Sequence, residues 1–253
     1  MKVIIVTGAS SGIGRGFAEA LGARKDLDEI WVIARRSDRL EELKNTIPCK
    51  VVPISLDLSY NNCIEKYKQM LTDKNPEVVA LVNAAGFGRF GEFENITLSD
   101  QMGMVDLNIA ALTAVTYLTL PYLCAGAEVY QLGSFSAFVP VPYLGVYAAS
   151  KAYVLSFSRS LNVELAHRKI HVMAVCPKWV RTEFFDRAAE QPDVVTYYDH
   201  FYTVDEVVRR ALRDMKRGKD VSVCGIRART EARLLKLLPA KLGMKIWCRQ
   251  QKK

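Results

Sequence analysis

The sequence predicts an α/β fold, a single doubly wound parallel sheet of about seven strands flanked by helices. Three observations carry that expectation. Short β-branched runs alternate with longer amphipathic stretches along the whole chain. The runs VIIV, VVALV and HVMAVC are continuously apolar, as strands covered on both faces must be. The 253 residues are 50% hydrophobic and 25% charged, an ordinary globular balance that excludes disorder and low complexity. A chain of this length buries a sizeable core, and no linker or repeat divides it, so residues 1–253 read as one domain.

Strands are expected at Lys2–Thr7, Glu29–Ala34, Lys50–Ile54, Val78–Asn83, Ala127–Leu132, Ile170–Cys176 and Asp220–Cys224. Amphipathic spacing predicts helices over 12–24, 38–46, 60–74, 99–121, 147–167 and 205–217. Only four apolar residues follow Met1-Lys2, so no secretory leader is expected. The longest uncharged runs, 107–127 and 129–150, contain Asn108 and Pro121 or are rich in Gly, Ser and Pro, which argues for core segments of a soluble, cytoplasmic protein. Six scattered cysteines without a C-x-x-C pair, and three histidines, give no metal site and suit free thiols.

The net charge of +8 is local. Residues 205–253 hold fifteen Lys/Arg against five Asp/Glu, whereas residues 1–204 hold twenty against twenty-two. A nucleic-acid binder carries its basic stripe on a recognisable binding fold, and none is visible, so nucleic acid is not an expected partner.

The first strand runs into Thr7-Gly8-Ala9-Ser10-Ser11-Gly12-Ile13-Gly14 and then a helix. Glycines there permit a tight turn and bring backbone N–H groups to a pyrophosphate at a helix N-terminus, the arrangement of a Rossmann-type dinucleotide site. An NAD site needs a carboxylate at the end of the second strand, but that strand ends Ala34-Arg35-Arg36, with no acid before Asp38. Arginine offers a planar fork for a phosphate, so NADP(H) is favoured over NAD(H), with Arg35 on the 2′-phosphate and Arg36, Ser10 and Arg15 as helpers.

The glycine spacing is G-x-x-x-G-x-G, and Asn83-Ala84-Ala85-Gly86, Tyr147-Ala148-Ala149-Ser150-Lys151 and Pro177…Thr182 follow it in order. This set resembles the short-chain dehydrogenase/reductase family over residues 2 to about 224. The resemblance implies a cofactor held by Gly8, Ser10, Ser11, Gly12, Ile13, Gly14, Asp57, Leu58, Asn83, Ala84, Ala85, Gly86, Tyr147, Lys151, Pro177, Val180 and Thr182, besides Arg35. It implies Tyr147 and Lys151 as the acid–base pair, Ser134 as the residue that bonds the substrate oxygen, and Asn108 as the helix asparagine holding a water on the lysine. Ser136 is the fallback for Ser134. Lys178 departs from the pattern, standing where the family has glycine; it would narrow the cleft or add a cation near the phosphates.

Tyr147 and Lys151, four apart on a helix, share a face. A free tyrosine has a pKa of about 10, and an ammonium at about 4 Å in an effective dielectric near 20 contributes about 4 kcal/mol, or roughly three pK units. The lysine is therefore expected to bring the phenol toward neutrality.

Phe135, Phe138, Val139, Val141, Tyr143 and Leu144, with Phe184, Phe185, Tyr197, Tyr198, Phe201 and Tyr202 of a substrate lid at 184–202, suit a bulky hydrophobic ketone or secondary alcohol of hydroxysteroid or fatty-acyl type. The lid also holds His200, read as structural, and Gln191-Pro192-Asp193. The same aromatics would serve equally as core or subunit interface. A cofactor-binding regulatory protein and a reductase of small polar carbonyls are the alternatives. The basic C-terminal segment 225–253, broken by Pro239 and Gly243 into two amphipathic pieces, fits a peripheral membrane contact, a dock for an acidic carrier or a contact within a homodimer or homotetramer.

Overall fold

In the computed structural model, which describes residues 1–189 and 194–252, every strand lies parallel to its neighbours. The strands are β1 (Lys2–Thr7), β2 (Glu29–Ala34), β3 (Lys50–Ser55), β4 (Glu77–Asn83), β5 (Leu123–Leu132), β6 (His171–Val175), β7 (Trp179–Val180), β8 (Phe201–Tyr202) and β9 (Val221–Ser222). Seven of them form one sheet in the order β3-β2-β1-β4-β5-β6-β9, and β7 and β8 form a separate pair. The order reverses between β1 and β4, so a crevice opens beyond their carboxyl ends, the usual ligand position in such sheets.

Helices α1 (Gly12–Gly22), α2 (Ser37–Glu41), α3 (Asn61–Lys74), α4 (Leu98–Val105), α5 (Leu112–Thr119), α6 (Gly145–Glu164), α7 (Phe184–Ala188), α8 (Val204–Met215), α9 (Ile226–Leu237) and α10 (Ala240–Gln250) complete the fold. The two-residue alternation of β1 divides the core. Ile4 and Val6 pack with Phe17 and Leu21 of α1 and Val207 and Ala211 of α8. Val3 and Ile5 pack on the other face with Tyr67 and Leu71 of α3 and Val115 of α5. Each such side chain contributes about 1.5–3 kcal/mol by leaving water, which is why both faces write themselves into the sequence as unbroken apolar runs.

The expected strands and helices are present, but β5 begins at Leu123 rather than Ala127, the helix expected over 38–46 turns 3-10 at Glu42–Asn45, and three further differences stand out. The helix expected over 99–121 is continuous, but its middle, Asp106–Ala111, is π-helical, a wider turn that recurs at functional sites. This run, Leu98–Tyr122, is apolar enough in length and composition to cross a membrane, yet Met104, Asn108, Ala111, Val115 and Thr119 are buried within the protein. The last strand is reduced to Val221–Ser222. In the C-terminal segment, Pro239 ends the first piece as its missing N–H dictates, but Gly243 does not interrupt the second. A Cβ at Gly243 would lie 2.8 Å from Val139 Cγ2, so that glycine serves close packing of α10 rather than a break.

The edge strand β9 is anchored to α8 by a buried carboxylate. Asp214 is 1% exposed; it accepts from Arg210 Nε at 2.7 Å and Ser222 Oγ at 2.9 Å, and pairs with Lys219 Nζ at 2.8 Å. Burial pushes its pKa up, but the three donors outweigh this and hold the carboxyl below its ordinary range. Asp214→Ala is expected to cost about 3 kcal/mol in urea unfolding, because the donors lose their buried partner. Asp220→Ala, which breaks only the exposed pair with Arg159, should cost under about 1 kcal/mol.

Candidate active site

The crevice is a cleft of about 520 Å³, within the range of small-molecule sites. Its polar end begins where β1 turns into α1. Gly8 has φ +68°, and a Cβ there would lie 2.6 Å from the Ala84–Ala85 backbone; a Cβ on Gly14 would lie 2.2 Å from the Gly8 carbonyl oxygen. Only glycine lets this turn close against the strand β4 exit. Ser11 precedes α1 without capping it through its side chain, so the first amides of α1 face the cleft with no side-chain acceptor from that residue. Such a cradle fits a dinucleotide pyrophosphate.

The structure brings most of the expected cofactor residues together on this cleft. Gly8, Ser10, Ser11, Gly12, Ile13 and Gly14 line it from the turn; Arg35, Asp57 and Leu58 from the ends of β2 and β3; Ala84, Ala85 and Gly86 after β4; and Pro177, Val180 and Thr182 after β6. Asn83 does not line it. It is 2% exposed, and its amide donates to Thr116 Oγ1 at 2.9 Å and Gln131 Oε1 at 3.0 Å, tying β4 to α5 and β5. Arg15 is also turned away, held by Glu42 and Glu19. Arg35 stands 3.8 Å from Asp57, and Arg36 reaches Ser10 at 3.2 Å and Glu183 at 2.8 Å.

The chemical groups converge at the middle of the cleft. α6 carries Tyr147 and Lys151, both buried, with Lys151 Nζ 5.7 Å from the Tyr147 ring centroid and donating to the Leu132 carbonyl at 2.8 Å. Ser134 Oγ accepts two hydrogen bonds from Ser136, from its N–H at 3.2 Å and its hydroxyl at 3.0 Å. A hydroxyl has two acceptor sites and one hydrogen, so Ser134 is left as a donor into the cleft while Ser136 positions it. Asn108 lies behind the cleft at 1% exposure. Its amide bonds the Phe87 backbone in both directions, at 3.0 and 2.9 Å, and donates to Ser150 Oγ at 3.1 Å. Ser150 in turn donates to the Tyr147 carbonyl at 2.7 Å, so Asn108 positions both α6 and the loop after β4.

The expectation that Lys151 draws the phenol toward neutrality is not met. Burial dominates: it pushes the Tyr147 phenol up to about 12, against a hydrogen bond from Ser134 that pulls it down. Burial also lowers the Lys151 ammonium to about 8. The sequence spacing placed the two on one face but carried no measure of how dry that face is.

The far end of the cleft is mostly apolar, with Lys178, Asp199, Arg227, Glu231 and Gln250 also on its wall. Phe135, Val139, Val141, Leu144, Phe184, Phe185 and Tyr197 line it as expected, whereas Phe138, Tyr143, Tyr198, Phe201 and Tyr202 do not. Tyr198 and Phe201 pack behind Phe185, with ring centroids 5.7 and 5.3 Å away. His200 is exposed against Tyr202, and Gln191-Pro192-Asp193 lie outside the described residues. Phe90, Trp179 and Trp247, which the sequence did not mark, also line the cleft.

Lys178 neither points at the phosphates nor stands free. Its ammonium bonds Asp199 at 2.6 Å and Glu231 at 2.7 Å and sits 4.9 Å from the Phe135 ring centroid. The segment 225–253 likewise has a face that sequence reading missed: Leu235, Gly243, Ile246 and Trp247 wall the chamber. Trp247 Nε1 donates to the Pro142 carbonyl at 3.0 Å, and the buried Gln251 accepts from the amides of Thr196 and Tyr197 at 2.9 and 3.0 Å. A tryptophan amid leucines was the one signal available.

The family model for short chain dehydrogenases matches residues 2–193. Sulfoacetaldehyde reductase 2 of Chromohalobacter salexigens is 35% identical over 193 residues, 72% of this chain and 74% of that one. The 11-beta-hydroxysteroid dehydrogenase-like 3 of Arabidopsis thaliana is 30% identical over 86% of this chain and 70% of its own length. Among solved structures, a short-chain dehydrogenase from Sphingobium yanoikuyae in complex with NADPH superposes with a TM-score of 0.79 at 28% identity, covering 92% of each chain.

Burying Lys151 has a stability consequence. Between pH 8 and 10.5 the unfolded chain binds the proton that the folded chain has released, so stability rises with pH across that window. Above pH 10 the raised Tyr147 works the other way, because the folded chain then holds the extra proton. At pH 7 the buried ammonium costs about 3 kcal/mol, and Lys151→Met is expected to be more stable by up to that amount, with the advantage shrinking toward pH 10. Denaturant unfolding of both proteins at pH 7 and pH 10 measures it.

Proposed function

This chain belongs to the short-chain dehydrogenase family of oxidoreductases, and from that premise we propose that it interconverts a ketone and a secondary alcohol on a bulky hydrophobic substrate with NADP(H). The observation that carries the reading is the position of Tyr147, Ser134 and Lys151 where the polar cradle meets the aromatic chamber of one cleft. When bound, the dinucleotide supplies or accepts a hydride. Ser10 to Gly14 would hold its pyrophosphate, Asp57 and Leu58 its adenine, and Pro177, Val180 and Thr182 its nicotinamide end. Arg35 and Arg36, with no carboxylate ending β2, would take the 2′-phosphate.

Within the chain, Ser134 donates to the carbonyl oxygen as it gains charge, and Tyr147 Oη gives that oxygen its proton in reduction and takes it back in oxidation. Lys151 Nζ, oriented by the Leu132 carbonyl, stabilises the phenolate left behind. A phenol pushed up to about 12 by burial carries its proton at neutral pH, as the donor role requires. The aromatic chamber and the hydroxysteroid-dehydrogenase-like relative support a bulky substrate. A small anionic carbonyl is the second reading, on the strength of the sulfoacetaldehyde reductase relative. Lys178, a cation on the cleft wall, is spent on Asp199 and Glu231, so such a group would have to rely on Arg227.

Tyr147→Phe tests the proton donor: kcat with NADPH and a bulky aryl ketone should fall at least about a hundredfold, with NADPH affinity within about threefold of wild type. A fall of less than tenfold would place the proton elsewhere. Arg35→Asp should weaken NADPH about ten- to a hundredfold while changing NADH little, read by fluorescence titration. Equal losses for both cofactors would move the phosphate contact to another residue.

A further inference from the structure

The outward faces of α9 and α10 carry cations that no described acid pairs. Ile226, Thr230, Arg233, Leu234 and Leu237 recur at helical spacing on one side of α9, and all are exposed. Leu242, Lys245 and Arg249 do the same on α10, with Lys241 one turn before Lys245. Leu237 is 82% exposed and Ile226 77%, well beyond what a solvated helix face requires. Among the described residues, Arg233, Lys241, Lys245 and Arg249 make no ion pair. Several surface cations elsewhere do find acids, among them Arg15, Arg36, Lys50, Arg159 and Arg209. Glu231, the single acid of residues 225–253, is turned inward to Lys178.

We propose that this face docks on an anionic lipid bilayer, with α9 and α10 lying along the headgroup plane. Exposed leucines interleaved with unpaired cations are the character of an interfacial segment, and a bilayer satisfies both without a matching shape. A second copy of the chain would cover the leucines but not balance the charge, because a twofold contact brings two sets of the same cations into one interface with no acid of this segment between them. The inner side of α10, with Gly243 and Trp247, still walls the cleft, so docking sets the substrate chamber directly above the lipid.

The test is flotation of the full-length protein with phosphatidylcholine vesicles, with and without one third phosphatidylglycerol. Salt at about 20 mM and about 500 mM takes the Debye length from about 20 Å to about 4 Å. The protein should float with the anionic vesicles at low salt, remain behind with neutral ones, and be released at high salt. The Lys241→Glu/Lys245→Glu/Arg249→Glu variant should lower partitioning at least about a hundredfold, equivalent to about 1 kcal/mol for each cation. These three side chains lie off the cleft, so turnover of a water-soluble ketone and the melting temperature should stay at wild-type values. Leu234→Ser/Leu237→Ser should weaken flotation as well. Absence of flotation at low salt, or flotation that neither variant reduces, overturns the proposal. So does a change of oligomeric state in the triple variant without vesicles, which gives the face to a second copy, or binding to polyglutamate but not to vesicles, which gives it to an acidic protein.

Discussion

Two ionisable side chains shut away from water, Tyr147 and Lys151, set the terms for the rest of the cleft. Each is fully able to titrate, and each is pushed by burial toward its neutral form, the phenol up to about 12 and the ammonium down to about 8. The lysine has one hydrogen-bond acceptor, the Leu132 carbonyl, and the tyrosine oxygen has Ser134 as a donor. A dry pocket strengthens every electrostatic interaction inside it, so the arrangement exchanges stability of the free protein for leverage on a developing oxyanion.

Keeping that pocket dry is a task distributed over the whole chain. Phe90 and Phe184 pack on the Tyr147 ring, with centroids 6.2 and 5.6 Å away, and they come from loops nearly a hundred residues apart. Asn108, presented by the π-helical turn, holds the loop after β4 against α6 through Phe87 and Ser150. Gly86 must be bare because a Cβ there would meet Asn108 Oδ1 at 2.8 Å. At the other end Lys178 ties the lid-side Asp199 and the C-terminal helix residue Glu231 to the floor of the cleft. Cation, acids and tryptophans thus close the chamber from three separate stretches of sequence.

This distribution explains what could be read beforehand. The sheet was legible because strands buried on both faces leave apolar runs with no alternation, and the bounds of β1 and β2 match the expected ones residue for residue. The glycine turn was legible because a Cβ on Gly8 would stand 2.6 Å from the Ala84–Ala85 backbone, which no other residue avoids. The motif Asn83-Ala84-Ala85-Gly86 misled in part: three of its residues line the cleft, while Asn83 secures the sheet behind it. Lys178 could be seen to depart from a pattern, but its partners lie 21 and 53 residues further on, a distance no local signal spans. Helical periodicity showed that the C-terminal segment has two faces; which one covers the substrate chamber is a tertiary fact.

Protonation of Tyr147 in the free protein is the point on which this account turns, and it can be observed directly. Incorporating ring-labelled tyrosine and following the Cζ carbon of Tyr147 by NMR, assigned by comparison with Tyr147→Phe, gives its titration without any assay of turnover. The account expects the resonance to hold its phenol position from pH 6 through pH 10, consistent with a pKa of about 12. Conversion to phenolate with a midpoint below about 9, less than the ordinary tyrosine value of about 10, would contradict it, and would mean that the charge of Lys151 rather than burial governs the site.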